Sequence, residues 1–449
     1  MPSLIRSASK ILSHAANTSD ATFDMVIETT TVNELFTIQC HNVGTFNATI
    51  DWGDGTTSTV TSYNDANLTH TYASASEHTI SISGTFPSIY MHIAANNSRN
   101  KVKRVLNFGN VGWQNLYQAF YNCNNITTFV SGNCDTSSVT NMDSMFHNCT
   151  SITTLDVGGF NTSSVTSMYA MIHNTSITSL DVSNWDTSLV TNMSYVISKC
   201  SNLTSVDVSN WDTSSVTNMH SMFREMTALT TCDVSNWDTS SVTDMSNIFS
   251  SCVVLTTLDV SGFNTSSVTN MSNMFYICYN LTTIDVSNWN TSSATTMSGM
   301  FQACYDVTSL DVSGFNTSLV TNMYAMFYRC RAVTAGLDVS SFDTSLVTRM
   351  EYMFQELGTD NGASIDIIGV ENFDIEVLIQ QALRNFMVGV AIPTARYDAL
   401  LINWDAQDPF DGMFPNFGSS QYTAGGTAAT ARANLISTDG WAISDGGTA

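Results

Sequence analysis

Basic residues are scarce: 14 Lys and Arg stand against 38 Asp and Glu, a formal charge of −24. Nucleic acid is thereby excluded as a partner, because phosphate contacts need clustered Lys and Arg. Long apolar runs are missing too. Nothing approaches the roughly 20 residues needed to cross a bilayer, so no membrane insertion is expected. The opening MPSLIRSASKILSHAANTSD lacks the continuous apolar core of a secretory signal. Its Leu4, Ile5, Ala8, Ile11, Leu12 and Ala15 follow a helical period instead. Residues 1–20 are therefore expected to form a terminal helix, either weakly docked or attaching the chain to a larger assembly. Catalytic signatures are absent as well: there is no G-x-S-x-G, H-E-x-x-H or glycine-rich phosphate loop. Paired C-x-x-C zinc spacings do not occur. The low charged fraction (12%) and the abundance of Ser, Thr and Asn suit an extracytoplasmic or virion surface.

What is present is a repeat. The stretch VDVSNWDTSSVTNM at 206–219 recurs in near-copies, and its aromatic falls at Phe160, Trp185, Trp211, Trp237, Phe263, Trp289, Phe315 and Phe342, steps of 25–27 residues. A second mark recurs at Phe120, Phe146, Ile172, Ile197, Phe223, Phe249, Phe275, Phe301, Phe327 and Phe354. Ten coils thus occupy about 102–362, the first and last degenerate. Within one coil, Leu255, Leu258 and Val260 alternate with Thr257 and Asp259 as in a half-buried strand. Val268, Met271, Met274 and Phe275 then recur at helical spacing, with Thr269 placed to cap. One short parallel strand plus one short helix per coil predicts a leucine-rich-repeat-like solenoid, since no coil can bury its apolar side alone.

Units such as SVTNMSNMFYICYNLTTIDVSNWNTS resemble the BspA-like family of leucine-rich surface repeats, through D-x-S-x-[WF]-[DN]-T-S and N-M-x-x-M-F. The resemblance covers all ten coils. It implies a right-handed solenoid with a role in adhesion or recognition, and no catalytic residues. Residues 21–100 read differently, as strands FDMVIET, ELFTIQC, NATIDW and HTISISG between turns. There IDWGDGTTSTV followed by LTHTYASASEHTISISG resembles the PKD-type β-sandwich, through Trp52, Gly53, Asp54, Gly55, His70 and Tyr72. His70 is expected to be a satisfied structural residue. After Phe354 the period fails. Two amphipathic stretches follow, VLIQQALRNFM and a helix from Thr394 to Trp404, then GTAATARANLIS as a helix, a glycine turn at Gly440 and a short strand. We assign 1–20 as an attachment segment, 21–100 as the β-sandwich, 101–362 as the solenoid and 363–449 as an α/β C-terminal cap.

Several rows follow from the period. Cys123, Cys149, Cys200, Cys252, Cys278, Cys304 and Cys330 share a position with Thr175, Met226 and Leu357, which marks a buried row of reduced thiols. The Trp and Phe row, with Cys134 in the second coil, is expected at a buried corner; an exposed sugar-stacking row is the other reading. Asp156, Asp181, Asp207, Asp233, Asp259, Asp285, Asp311 and Asp338 alternate with buried strand residues and should point outward about 4.8 Å apart, where carboxylates repel. Hydroxyls and amides nearby, bound Ca²⁺ or Na⁺, or a basic partner must offset this; no other cofactor is implied. A second row, Asn161, Asp186, Asp212, Asp238, Asn264, Asn290, Asn316 and Asp343, should fold back onto turn amides. His147 and His173 should stack one coil apart, without a third ligand for a metal.

Almost every polar residue is one of about ten copies, whereas catalysis needs a unique constellation, so no enzyme is expected. Recognition of a host-surface glycan or protein is the expected function. The irregular Phe410, Met413, Phe414, Phe417 and Tyr422, in a glycine-rich loop between two helices, are the candidate contact residues; burial of the last coil is their competing role. The expected setting is a phage virion fibre or appendage, docked to other virion proteins through the N-terminus. A bacterial cell-surface adhesin and a passive structural spacer are the alternatives.

Overall fold

The computed structural model describes residues 21–449 save positions 94, 363 and 408; the expected helix over 1–20 lies outside the described residues. The chain divides into two compact units, Met1–Ser215 and Val216–Ala449.

In the first unit, β1 (Thr22–Glu28), β3 (Asn47–Asp51), β4 (Thr57–Val60), β6 (Glu77–Thr85), β7 (Val102–Asn107), β8 (Thr128–Val130) and β9 (Thr154–Asp156) form one sheet in the order β4-β3-β6-β1-β7-β8-β9. A separate antiparallel pair joins β2 (Glu34–Thr37) to β5 (Thr69–Tyr72). Alternation dictates the burial of β6, where Ile80 and Ile82 turn inward between polar neighbours. Central β1 buries Phe23, Met25, Val26 and Ile27, and its buried Asp24 accepts from Ser81 Oγ (2.6 Å). The sheet is antiparallel as far as β7, then parallel through β8 and β9. It therefore runs from the N-terminal strands into the first repeats without interruption at residue 100.

The repeats correct two expectations. Among the described residues, regular parallel strands occur only at β7–β9 and, in the second unit, at β10 (Leu337–Asp338) with β11 (Ile367–Ile368). Elsewhere the strand-like segment keeps its alternation, with Leu255, Leu258 and Val260 buried, but carries sparse bonds such as Thr282 N–H to Thr256 O (3.3 Å). The expected short helix is not a helix. In the second unit the amides of Asn247, Phe249 and Ser251 donate to the carbonyls of Ser272, Met274 and Tyr276 one repeat on (2.9, 3.1 and 2.6 Å), while those of Ile248, Ser250 and Cys252 close i→i−3 turns to Met245, Asn247 and Phe249. The first unit shows the same alternation, with Gln118, Phe120 and Asn122 reaching Asp143, Met145 and His147 (2.9, 2.9 and 2.8 Å).

Two residues per repeat take positive φ to make this possible, for instance Asn247 (58°) and Ser251 (63°). The left-handed conformation costs roughly 1–2 kcal/mol for a residue with a Cβ, and Gly299 (φ 62°) stands at one of these positions. Successive turns place Val268, Met271, Met274 and Phe275 inward at the same three- and four-residue steps as a helix, and all four are fully buried. The hydrophobic pattern is common to both conformations. The backbone partners differ.

Between repeats the side chains form continuous columns. In the second unit Phe223, Phe249, Phe275, Phe301, Phe327 and Phe354 stack with centroids 5.7–6.1 Å apart and rings within 10° of parallel. Each buried Phe contributes roughly 1.5–3 kcal/mol of apolar transfer. The Thr of [DN]-T-S forms a second column, which sequence reading passed over. Thr239, Thr265, Thr291 and Thr317 are buried, and their hydroxyls donate to the carbonyls of Asn264, Asn290, Asn316 and Asp343 in the next repeat (2.8–3.0 Å).

The ladder does not stop at residue 362. Tyr352, Phe354 and Glu356 donate to Arg384, Phe386 and Val388, Met387 donates to Asn416, and Phe417 to Ser444. VLIQQALRNFM is accordingly another run of turns, with Asn385 at φ 53° and Phe386 buried. Helix α1 (Thr394–Asp405) and helix α2 (Thr427–Ser437) form as expected, between successive rungs. Tyr397, Leu400, Leu401 and Trp404 make the buried face of α1. Asp445, nearly buried, accepts from Tyr397 Oη (2.7 Å) and Arg432 Nε (2.8 Å), tying both helices to the C-terminal segment.

Replacing Thr265 by Val keeps the shape of the Thr column but leaves the Asn290 carbonyl without its donor. Urea denaturation should show Thr265→Val less stable by about 1–3 kcal/mol and Thr265→Ser much less affected. Equal stability of Thr265→Val and the parent would reduce this column to packing alone.

Candidate functional site

Three of the repeated polar rows have partners inside the fold. In the Asp row, Oδ1 of Asp181, Asp207, Asp233, Asp259, Asp285 and Asp311 accepts both the amide (3.1–3.2 Å) and the hydroxyl (2.6–2.7 Å) of the Ser two residues on. Asp156 accepts from the Gly158 amide and from Ser131 Oγ, and Asp338 from the Ser340 amide. These are local turns closed by a carboxylate. The row faces solvent as expected, and hydroxyls and amides hold it.

The second row behaves alike: Asn161, Asp186, Asp212, Asn264, Asn316 and Asp343 accept from the amide and hydroxyl of the following Ser. A third row went unread in the sequence. Asn192, Asn218, Asp244, Asn270 and Asn322 accept from the amide two residues on and carry the parallel bridges between repeats. Three side-chain-closed turns per repeat explain why Asp or Asn recurs at fixed places.

The aromatic row is buried throughout, from Phe160 to Phe342, so an exposed sugar-stacking row is excluded there. Trp289 Nε1 donates to the Val260 carbonyl (3.1 Å), which gives Trp a use for its one polar atom. The seven row cysteines are fully buried, and Cys252, Cys278, Cys304 and Cys330 donate to the carbonyls of Phe223, Phe249, Phe275 and Phe301 (3.1–3.2 Å). Burial pushes these thiols up, Cys278 and Cys330 to about 12. His147 and His173 stack at 4.7 Å. No group of three or more His, Cys, Asp or Glu arranged to hold a metal occurs among the described residues. In the WGDG turn, His70 Nε2 lies 2.7 Å from Asp54 Oδ2, His70 stacks on Trp52 (4.9 Å), and Tyr72 Oη donates to the Trp52 carbonyl (2.9 Å). Burial alone would raise Asp54, but hydrogen bonds from Thr56 and His70 hold it at about 2.

These ladders place the repeats among known sequences. The model of the family described as "Mycoplasma protein of unknown function, DUF285" matches residues 114–205, 173–258, 197–304 and 253–366, together more than half of the 449 residues. The chain belongs to the DUF285 family. A leucine-rich repeat protein from Bacteroides ovatus is similar at 13% identity and a TM-score of 0.36, over 85% of this chain and 100% of that one. No curated protein matches.

Outside the DUF285 repeats, the five candidate contact residues separate into two groups. Phe410 and Phe414 are each 52% exposed, whereas Met413 and Phe417 are fully buried. Phe417 packs against Tyr397 (5.3 Å) and Trp404 (5.7 Å), and its amide is a rung of the ladder. Exposure is thus corrected for Met413 and Phe417, which belong to the core. Tyr422 is half-buried beneath the Arg432 guanidinium (5.2 Å). The Phe410 carbonyl accepts from Trp441 Nε1 (3.1 Å), so the loop is anchored while the two phenylalanine rings face water.

The Asp rows make a signed prediction. Hydrogen bonds from the Ser hydroxyl, then the Ser amide, lower Asp181, Asp186, Asp233, Asp238, Asp285 and Asp343 below the ordinary 3.8. A lowered folded-state value gives stability that is present above pH 3.8 and lost as pH falls through the folded values. The melting temperature should stay flat from pH 7 to about 5 and fall below 3.8, and Asn at both Asp233 and Asp285 should flatten part of that fall. A melting temperature that rises on acidification would mean that carboxylate repulsion governs the rows.

Proposed function

We propose that this chain is a non-catalytic surface-recognition protein, with BspA-like leucine-rich-repeat coils forming a solenoid and a PKD-like sandwich at 21–100. One observation carries the reading: the repeated Asp turns, the Thr column, the Cys row and the aromatic row are engaged or buried by the fold itself. Recognition is then best served by irregular, exposed groups, and Phe410 and Phe414 meet both conditions on an anchored loop. Exposed aromatics held by a rigid frame are suited to docking a host-surface glycan or protein. The setting we favour is a virion fibre or appendage, with residues 1–20 joining it to other virion proteins. A bacterial surface adhesin would present the same loop from a cell envelope, and a passive spacer would not need it.

Labelled chain should decorate intact cells within a broad bacterial panel. The Phe410→Ser, Phe414→Ser double variant, with a melting temperature within about 2 °C of the parent, should lose at least tenfold of that labelling. Labelling that survives the double variant removes the loop from recognition, and no labelling anywhere in the panel removes the recognition reading. Gold-labelled antibody against the chain then separates virion appendage from cell envelope.

A further inference from the structure

A cleft of about 520 Å³ opens in the first unit between residues 37–42, the loop at 63–69 and residues 90–93. That volume falls within the roughly 300–1,000 Å³ of small-molecule sites. Its walls are tied together before any ligand arrives. The Ile38 amide donates to the Leu68 carbonyl (2.9 Å), the Tyr90 amide to the Gln39 carbonyl (2.7 Å), and the His41 amide to Ser88 Oγ (2.9 Å). Asp65 caps the 3₁₀ turn Ala66–Leu68 through the Asn67 amide (3.0 Å) and holds the Thr61 amide (3.0 Å) with its other oxygen.

The lining combines rings with side-chain amides. His41 and Tyr90 pack at 4.3 Å, and Tyr63 is 37% exposed. The Gln39 side chain lines the cleft beside them. Asn42 and Asn64 also line the cleft. Among the described residues no Lys or Arg lines it, which disfavours phosphate, sulfate and carboxylate ligands. The Asp65 carboxylate is already engaged in the turn, and His41 Nε2 is engaged with the Tyr117 carbonyl (2.9 Å), so a cationic ligand finds no free counter-charge. The fitting ligand is neutral, with an apolar face for the rings and closely spaced hydroxyls for the amides. A pyranose sugar has both.

We infer that this cleft binds a neutral glycan, with Tyr63 and Tyr90 contacting sugar C–H faces and the side-chain amides of Gln39, Asn42 and Asn64 meeting its hydroxyls. The inference extends the recognition reading to a second site, and its test does not involve Phe410 or Phe414. Saturation-transfer NMR on the full chain would use cello-, malto-, manno- and chito-hexasaccharides, with a galacturonate hexasaccharide and an oligoproline peptide as the charged and polypeptide arms. At least one neutral hexasaccharide should bind with Kd of ~1 mM or tighter. Tyr63→Ala and Gln39→Ala should each weaken it at least tenfold at unchanged melting temperature, and Phe410→Ser, Phe414→Ser should leave it unaltered. Absence of binding across the neutral set, binding by the galacturonate or oligoproline arm alone, or binding that survives both cleft variants would each overturn the assignment. Loss of cell labelling in the loop variant with intact hexasaccharide binding would leave the two sites independently established.

Discussion

Within each unit, the backbone hydrogen bond from alternate amides of the turn segment to the next repeat, 24–26 residues on through most of the ladder, is the interaction on which the rest depends. An α-helix would close those amides within its own coil. Here half of them leave the coil, and two left-handed residues per repeat are the conformational cost. Once neighbouring repeats are locked in register, every side chain meets its own copy at a fixed offset. Phe stacks on Phe, Thr hydroxyls reach the next carbonyl, and Cys thiols reach a Phe carbonyl. The repetitive sequence follows from that register, since a residue that departs from it loses a partner on each side.

The same register determines what the polar rows can do. Stacked carboxylates repel, yet in six of the eight, Asp233 among them, the Ser two residues on donates both its amide and its hydroxyl, and the lowering of several of these Asp groups agrees with satisfaction over repulsion. Groups held in this way are poorly placed to recognise anything. On the proposed reading, recognition falls to positions outside the ladder, the exposed Phe410 and Phe414 and the cleft at Gln39, Tyr63 and Tyr90.

Much of this was legible from spacing. The period, the buried Cys and aromatic rows, the outward Asp row and the helices over 394–405 and 427–437 all follow from residue type and periodicity. The helix expected at Thr269–Phe275 was misread for a physical reason: i→i+3 turns and an α-helix bury the same residues, and only the destination of the amides tells them apart. The ladder beyond residue 362 was hidden because the interval between rungs lengthens, to 32 residues from Phe354 to Phe386 and, around α1, to 31 from Phe386 to Phe417. Met413 and Phe417 look like loop residues by local context, and Phe417 is buried through ring contacts with Tyr397 and Trp404 of α1. The cleft joins three separated segments, each unremarkable alone. No local pattern announces it.

Residue-resolved amide hydrogen exchange over 245–278 tests the central claim most directly. If alternate amides bond to the next repeat, Asn247, Phe249 and Ser251 should exchange as slowly as Ser250 and Cys252, whose bonds close local turns. Rapid exchange at Asn247, Phe249 and Ser251 beside protected Ser250 and Cys252 would mean that the repeats are not joined by backbone hydrogen bonds, and the account would be wrong at its base.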